Sequence, residues 1–183
     1  MGRRLLILGP PGAGKGTQAA LLCKALGIPH VSTGEMLRDH VTHGTELGKR
    51  ARVIMDAGDL VSDEIVIAMV KERLAQEDAA CGFLLDGFPR TAPQAGALEQ
   101  VIAETPLDGV IVLEVPEGEI VDRTLTRGRS DDTAESVRTR LASYHEQTAP
   151  LISFYEARGD MARVDGVGTI DEVLARIVGE LAR

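Results

Sequence analysis

Five short runs of almost unbroken apolar character alternate with longer stretches of helical periodicity, and this alternation restricts the fold more than any other feature of the chain. The runs are RLLILG (4–9), PHVST (29–33), GFLLDG (82–87), GVIVLEV (109–115) and MARVDG (161–166). Strands covered on both faces read this way, whereas a strand with one face in water alternates. Between them lie helical patterns, among them GTQAALLCKAL, SDEIVIAMVKERLAQ, APQAGALEQVIAE, EIVDRTLTR and the long AESVRTRLASYHEQTAPLISFYEA. Strands that take turns with helices predict an α/β fold, a doubly wound five-stranded parallel sheet with helices on both faces.

Two stretches break the alternation. Residues 33–61 hold two or three helical patterns and no strand, which predicts a small helical insertion after the second strand. Residues 127–133, RGRSDDT, are polar and aperiodic and predict a short loop. The 183 residues suffice for one domain with a full core, here segments 1–32, 62–126 and 134–183.

Composition narrows the function classes. A net charge of −8 argues against a nucleic-acid or anionic-membrane binder, since both reward a basic surface. The apolar runs fall far short of the roughly twenty residues of a membrane helix, and no hydrophobic signal segment follows the N-terminus, so the expected location is the cytoplasm. Cys23 and Cys81 are too few for a disulfide framework or a four-ligand zinc site, and both read as buried packing residues. Arg123, Arg127, Arg129, Arg138 and Arg140 crowd one region of this acidic chain. Such a run is either a solvated face or an anion site.

Residues 9–17, GPPGAGKGT, fit the pattern G-x-x-x-x-G-K-[ST] except that Gly16 stands at the hydroxyl position and Thr17 follows one place late. Glycines let backbone N–H groups converge on phosphate oxygens, Lys15 adds a mobile cation, and the following helix presents its positive end. A glycine-rich turn is the plain alternative. The buried strand leading in and the helix leading out favour a phosphate loop. In FLLDGFPRT a strand ends in Asp86, where an open α/β sheet sets a ligand-facing residue, and this carboxylate is placed to hold Mg2+ through water.

GPPGAGKGT, STGEMLR, DGFPRT followed by PQ, and RSDDT with VRTRL occur in the order found in adenylate kinases. The blocks span nearly the whole chain, which resembles the short-lid form of that family, and the family shares Gly16 and Thr17 in this register. The resemblance implies reversible transfer of the terminal phosphoryl group of MgATP to AMP, giving two ADP, by a monomer with no structural zinc. Residues 33–61 would be the AMP-binding insertion and 127–133 the lid.

Carried over residue by residue, the resemblance assigns Gly12, Ala13, Gly14, Lys15, Gly16 and Thr17 to the ATP phosphates, with Lys15 following the transferred group. Arg38 and Arg90 match the clamps on the acceptor phosphate, where a planar guanidinium forms paired bonds. Arg127, Arg129 and Arg140 match arginines that meet ATP or both nucleotides. Arg123 and Gly168 match contacts to the ATP adenine. The AMP side comprises Thr33, Asp59, Leu60, Val61, Gly87, Phe88, Pro89 and Gln94, with Thr33 and Gln94 reading the base. Asp131 and Asp132 are expected to pair with lid arginines, and Arg138 has no assignable role.

Ser62 replaces a proline common in the family, a change confined to hinge entropy. His30, His40, His43 and His145 read as surface or core residues. Alternatives stay open: UMP or CMP as acceptor, against which Thr33 and Gln94 argue, and a nucleotide-binding module that does not turn over. A GTPase switch needs an N-K-x-D motif, and the chain contains no asparagine.

Overall fold

The computed structural model describes residues 2–129, 131–159 and 161–182. Ser130 of the expected loop therefore lies outside the described residues. Five strands, β1 (Arg4–Leu8), β2 (His30–Ser32), β3 (Phe83–Asp86), β4 (Gly109–Glu114) and β5 (Met161–Asp165), form one sheet in the order β2-β3-β1-β4-β5. Every pairing is parallel. All five fall within the apolar runs.

Successive side chains of a strand point to opposite faces, and here both faces are covered. Leu6, Leu8, Leu85, Val110 and Val112 belong to one buried cluster, and Leu5, Ile7, Leu84, Ile111 and Leu113 to the other. Helix α1 (Lys15–Leu26) contributes Ala19, Leu22 and Cys23 to the second cluster, joined by Val173 and Ile177 of α9 (Ile170–Leu181). The first cluster takes Val66, Met69 and Val70 of α4 (Asp63–Leu74), and Ala95 and Leu98 of α5 (Ala92–Val101). β1 and β3 are thus neighbours whose following helices, α1 and α5, go to opposite faces. That reversal opens a crevice at the carboxyl ends of the two strands. The register sets Ile7 opposite Asp86 at its floor.

Between β2 and α4 stand α2 (Thr33–Thr42) and α3 (Glu46–Ala57), without a strand. α3 starts at Thr45, whose side chain accepts from the Gly48 amide, and ends at Gly58 with φ +86°. A methyl group at Gly58 would stand 2.6 Å from the Ser136 carbonyl oxygen, so α3 rests directly on the start of α7 (Ala134–Ser143). α6 (Glu117–Arg127) precedes the polar loop.

Two expectations need correction. The long pattern over 134–157 is not one regular helix: α7 passes through a π-helical turn at Tyr144–Thr148 into α8 (Ala149–Glu156). Pro150 has no N–H for the preceding turn, and the wider turn absorbs that loss. Cys81 is exposed while Cys23 is buried. Apolar sequence neighbours misled here, because Cys81 lies in the turn before β3, where its backbone is what packs, against Gly2.

Candidate active site

The loop between β1 and α1 is shaped by Gly9, Gly12 and Gly14, with φ of +142°, +83° and +90°. At Gly12 a methyl group would meet Thr124 Oγ1 at 2.3 Å and the Ile120 carbonyl oxygen at 2.9 Å, so the loop is wedged against α6. Lys15 opens α1 and turns its Nζ back to donate to the carbonyls of Gly9 (2.8 Å) and Pro10 (2.7 Å). Burial drives its pKa down from 10.5 to about 8, Asp86 opposing and the charges of Arg90 and Arg127 adding to the effect. A buried ammonium of lowered pKa gains from an anion placed beside it.

Asp86 ends β3 and is 8% exposed. Its Oδ2 meets His30 Nε2 at 3.3 Å and Ser32 Oγ at 3.4 Å, both from β2, whose Ser32 pairs in register with Asp86. Burial alone raises this carboxyl, yet the His30 hydrogen bond and the Lys15 charge outweigh it and hold the pKa below the ordinary value. A methyl group at Gly16 would lie 3.5 Å from Oδ2. The site therefore offers an ionised oxygen ligand beside the phosphate loop, a donor type that suits Mg2+.

After Asp86 the chain turns at Gly87 (φ +78°). The Gly87 carbonyl accepts from Thr33 Oγ1 and from Arg90 Nε, each at 2.8 Å, which ties the first residue of α2 to the guanidinium of Arg90. The Arg90 amide donates to Gln94 Oε1 at 2.8 Å. Thr91 caps α5. Gln94 follows within its first turn, and its side chain is buried.

Arg38 lies one helical turn after Gly34, where a methyl group would stand 3.3 Å from its guanidinium. Arg127 grips Asp132 through Nε (2.9 Å) and Nη2 (2.7 Å). Arg140 donates to Asp132 Oδ1 at 3.0 Å, to Asp131 and, at 3.3 Å, to the carbonyl of Met55 in α3. Arg123 reaches the Gly166 carbonyl at 3.0 Å and Glu119 at 2.7 Å. Burial lowers the pKa of Arg38, Arg90 and Arg129, and neighbouring guanidinium charges push the same way. All stay charged, because an arginine pKa starts above about 12.

These parts line one cavity of about 710 Å³. On its phosphate-loop side are Gly12, Ala13, Gly14, Lys15, Gly16 and Thr17, with Arg123 and Gly168 beyond. The same wall includes Thr33, Arg38, Asp59, Leu60, Val61, Gly87, Arg90 and Gln94, together with Asp86, Arg127, Arg129 and Arg140. Phe88 is not part of this wall. Its side chain is 1% exposed in the core below, because the turn at Gly87 sends it inward. Pro89 borders a separate recess of about 70 Å³ beneath Lys15 and Arg90.

A family model described as Adenylate kinase matches residues 7–160. The chain belongs to the adenylate kinase family. It is 53% identical over 184 residues to the adenylate kinase of Stenotrophomonas maltophilia, covering 97% of this chain and 98% of that protein. The adenylate kinase of Thermobifida fusca is 53% identical over 184 residues, 97% of each chain. That of Thermus thermophilus is 52% identical over 183 residues, 97% of this chain and 96% of its own. Alignment over nearly the whole of each relative fits the short-lid form of the adenylate kinase family.

Several residues in or beside the cavity escape a reading of the sequence. His30, read as lying outside the site, hydrogen-bonds Asp86, and Ser32 joins it. Their signal is positional: they stand on β2 beside the strand that carries the aspartate. Gln18, one turn into α1, is 3% exposed and donates from Nε2 to the Ile170 carbonyl at 3.0 Å, coupling the phosphate loop to the start of α9. Asp131, expected from the resemblance to pair with a lid arginine, lies on the wall as the partner of Arg140.

Proposed function

We propose that this member of the adenylate kinase family transfers the terminal phosphoryl group of MgATP reversibly to AMP, giving two ADP and serving adenine nucleotide balance. The observation that carries the reading is the concentration of cationic side chains, several of them partly withdrawn from water, in one cavity of an acidic protein. Lys15, Arg38, Arg90 and Arg129 all have lowered pKa values there. The phosphates of two nucleotides would add to the anions already there, Asp86, Asp131 and Asp132, which oppose these shifts.

Phosphoryl transfer is a problem of positioning and charge neutralisation. The phosphate loop cradles the donor phosphates, and Lys15 leaves its carbonyl partners to follow the transferred group. Arg38 and Arg90 hold the acceptor phosphate in line with it. Arg127, Arg129 and Arg140 neutralise the oxygens between the two, exchanging part of their bonding to Asp131 and Asp132 for bonding to phosphate. Thr33 and Gln94 take the acceptor base, with backbone groups of Asp59, Leu60, Val61 and Gly87 around it. Arg123 and Gly168 take the donor base. In this reading 33–61 is the acceptor-binding insertion and 127–133 the lid. Asp86 would hold Mg2+ through water, and the bound cation would neutralise phosphate charge. No covalent enzyme intermediate is formed.

Among the described residues no helix is long and apolar enough to cross a membrane. We take the protein to work as a cytoplasmic monomer. The deciding experiment is ADP formation from MgATP with AMP, CMP, UMP, GMP or no acceptor. Fast turnover confined to AMP is expected. Turnover with a pyrimidine nucleotide instead overturns the base assignment, and silence with every acceptor overturns the kinase reading.

A further inference from the structure

Gln94 is 2% exposed and lines the acceptor side of the cavity, yet both ends of its amide already have protein partners. Oε1 accepts from the Arg90 backbone N–H at 2.8 Å. Nε2 donates to Asp63 Oδ1 at 2.7 Å. A backbone N–H only donates and a carboxylate only accepts, so the two neighbours permit one orientation of the amide and oppose the other. Turning it over would set Nε2 against an N–H and Oε1 against a carboxylate.

Asp63 is not part of the cavity wall. It is the first residue of α4, and an acid there gains from the helix dipole alone. Its Oδ1 nevertheless serves α5, accepting from Thr91 Oγ1 at 2.9 Å as well as from Gln94. Because Thr91 also caps α5, the carboxylate is held by the same turn that it orients.

We propose that Asp63 is a positioning residue for acceptor-base selectivity, locking the Gln94 amide so that it accepts 6-aminopurine and rejects 6-oxopurine nucleotides. The inference rests on the reading of Gln94 as a contact to the acceptor base. With one N–H and one lone pair consumed inside the protein, the amide keeps one donor and one acceptor for a ligand, in a fixed order. Adenine offers an amino donor beside the ring N1 acceptor and matches that pair. Hypoxanthine offers a carbonyl oxygen beside a ring N–H and sets like against like at both positions. An amide free to turn would serve either base.

The test measures kcat/KM for phosphorylation of AMP, inosine 5′-monophosphate and purine riboside 5′-monophosphate, which carries only hydrogen at carbon 6. In the wild-type protein inosine monophosphate should be the worst of the three, below the purine analogue by about tenfold or more, because it meets two opposed groups where the analogue merely lacks one. In Asp63→Ala the acceptor that holds Nε2 is gone and only the Arg90 N–H opposes a turned amide, so the preference for AMP over inosine monophosphate should fall about tenfold. Thermal unfolding of the variant is followed alongside. A wild-type protein that uses inosine monophosphate as well as the purine analogue overturns the proposal, as does a folded Asp63→Ala protein with an unaltered preference. If the variant does not fold, the wild-type comparison decides. Absence of wild-type turnover with AMP would instead refute the underlying kinase reading, so the two failures are distinguishable.

Discussion

The hydroxyl of Thr148 donates to the carbonyl oxygen of Arg90 at 2.9 Å, joining the end of the π-helical turn to a residue of the cavity wall. Arg90 is thereby held at three points, its amide on Gln94, its Nε on the Gly87 carbonyl and its own carbonyl on Thr148. Thr148→Val should cost about 1–3 kcal/mol of stability, because it strands a carbonyl in a buried place. It should also raise KM for AMP more than KM for ATP, and Thr148→Ser should restore both. Denaturant unfolding and steady-state kinetics provide the check. Equal shifts in the two KM values would reduce Thr148 to a general packing role.

Gly12 and Gly14 share left-handed φ values, yet their surroundings differ. A methyl group at Gly14 meets nothing within 4 Å, whereas one at Gly12 meets α6 at 2.3 Å. Gly14→Ala should therefore cost only the conformational strain of about 1–2 kcal/mol. Gly12→Ala should add about 1–3 kcal/mol of overpacking to that strain. Urea unfolding of both variants tests the difference, and equal losses would contradict the wedge of the loop against α6.

How far the sequence reveals this molecule follows from the range of the forces involved. β1 and β4 are legible because both faces of a buried strand demand apolar residues, so the signal lies within six or seven neighbouring letters. The phosphate loop is legible because its glycines and Lys15 act within one turn of chain. Arg38 and Arg90 are different: nothing in their neighbourhoods separates them from surface arginines, and only the resemblance names them, while Arg140 stands out only as one of a run of arginines and owes its role to the resemblance. His30 is invisible for a related reason. Its partner Asp86 lies on the adjacent strand, and pairing across a sheet leaves no trace in local spacing. Phe88 and Cys81 went wrong because a turn decides which side chain faces inward, and one residue of turn reverses the answer. The π-helical turn is hidden by a periodicity that a single wide turn of five residues scarcely disturbs.

Lys15 makes the stability depend on pH with a defined sign. Its pKa of about 8 in the folded protein lies below the 10.5 of the unfolded chain, so between these values the unfolded state binds more protons. Stability arising from this residue therefore rises with pH across that window, and below pH 8 the full cost of burying the ammonium is present. A shift of this size corresponds to about 3 kcal/mol. Denaturant unfolding of wild type and Lys15→Met should show the variant gaining on the wild type at pH 7 and losing that relative advantage by pH 10. A gap independent of pH would mean that the ammonium is solvated well enough to escape the cost.

In the proposed mechanism Lys15 acts on the donor phosphates and Arg90 on the acceptor phosphate, and removing either should lower turnover by about three orders of magnitude, the scale of a charge-stabilising arginine in phosphoryl transfer. Gln94→Ala should act differently, leaving the phosphate clamps in place and eroding the preference among acceptor bases. Rates for Lys15→Ala, Arg90→Ala and Gln94→Ala with each acceptor nucleotide separate the two kinds of effect. Near-normal turnover in either charge variant removes its proposed role, and unchanged selectivity in the third places base reading elsewhere.

In the proposed reading 127–133 is the lid, and among its described residues Arg127 pairs with Asp132 while Arg140 pairs with Asp131 and Asp132. Excluding water then falls to a small loop and its arginines, and some ATP should be hydrolysed when AMP is absent. The rate is bounded by positioning. An acceptor held in line acts at an effective molarity of about 10⁵ M or more, against about 55 M for water, so hydrolysis should be slower than transfer by at least about a thousandfold. Phosphate release from MgATP alone, compared with ADP formation in the presence of AMP, measures the ratio. Hydrolysis as fast as transfer would show that the loop and its ion pairs do not close over the phosphates.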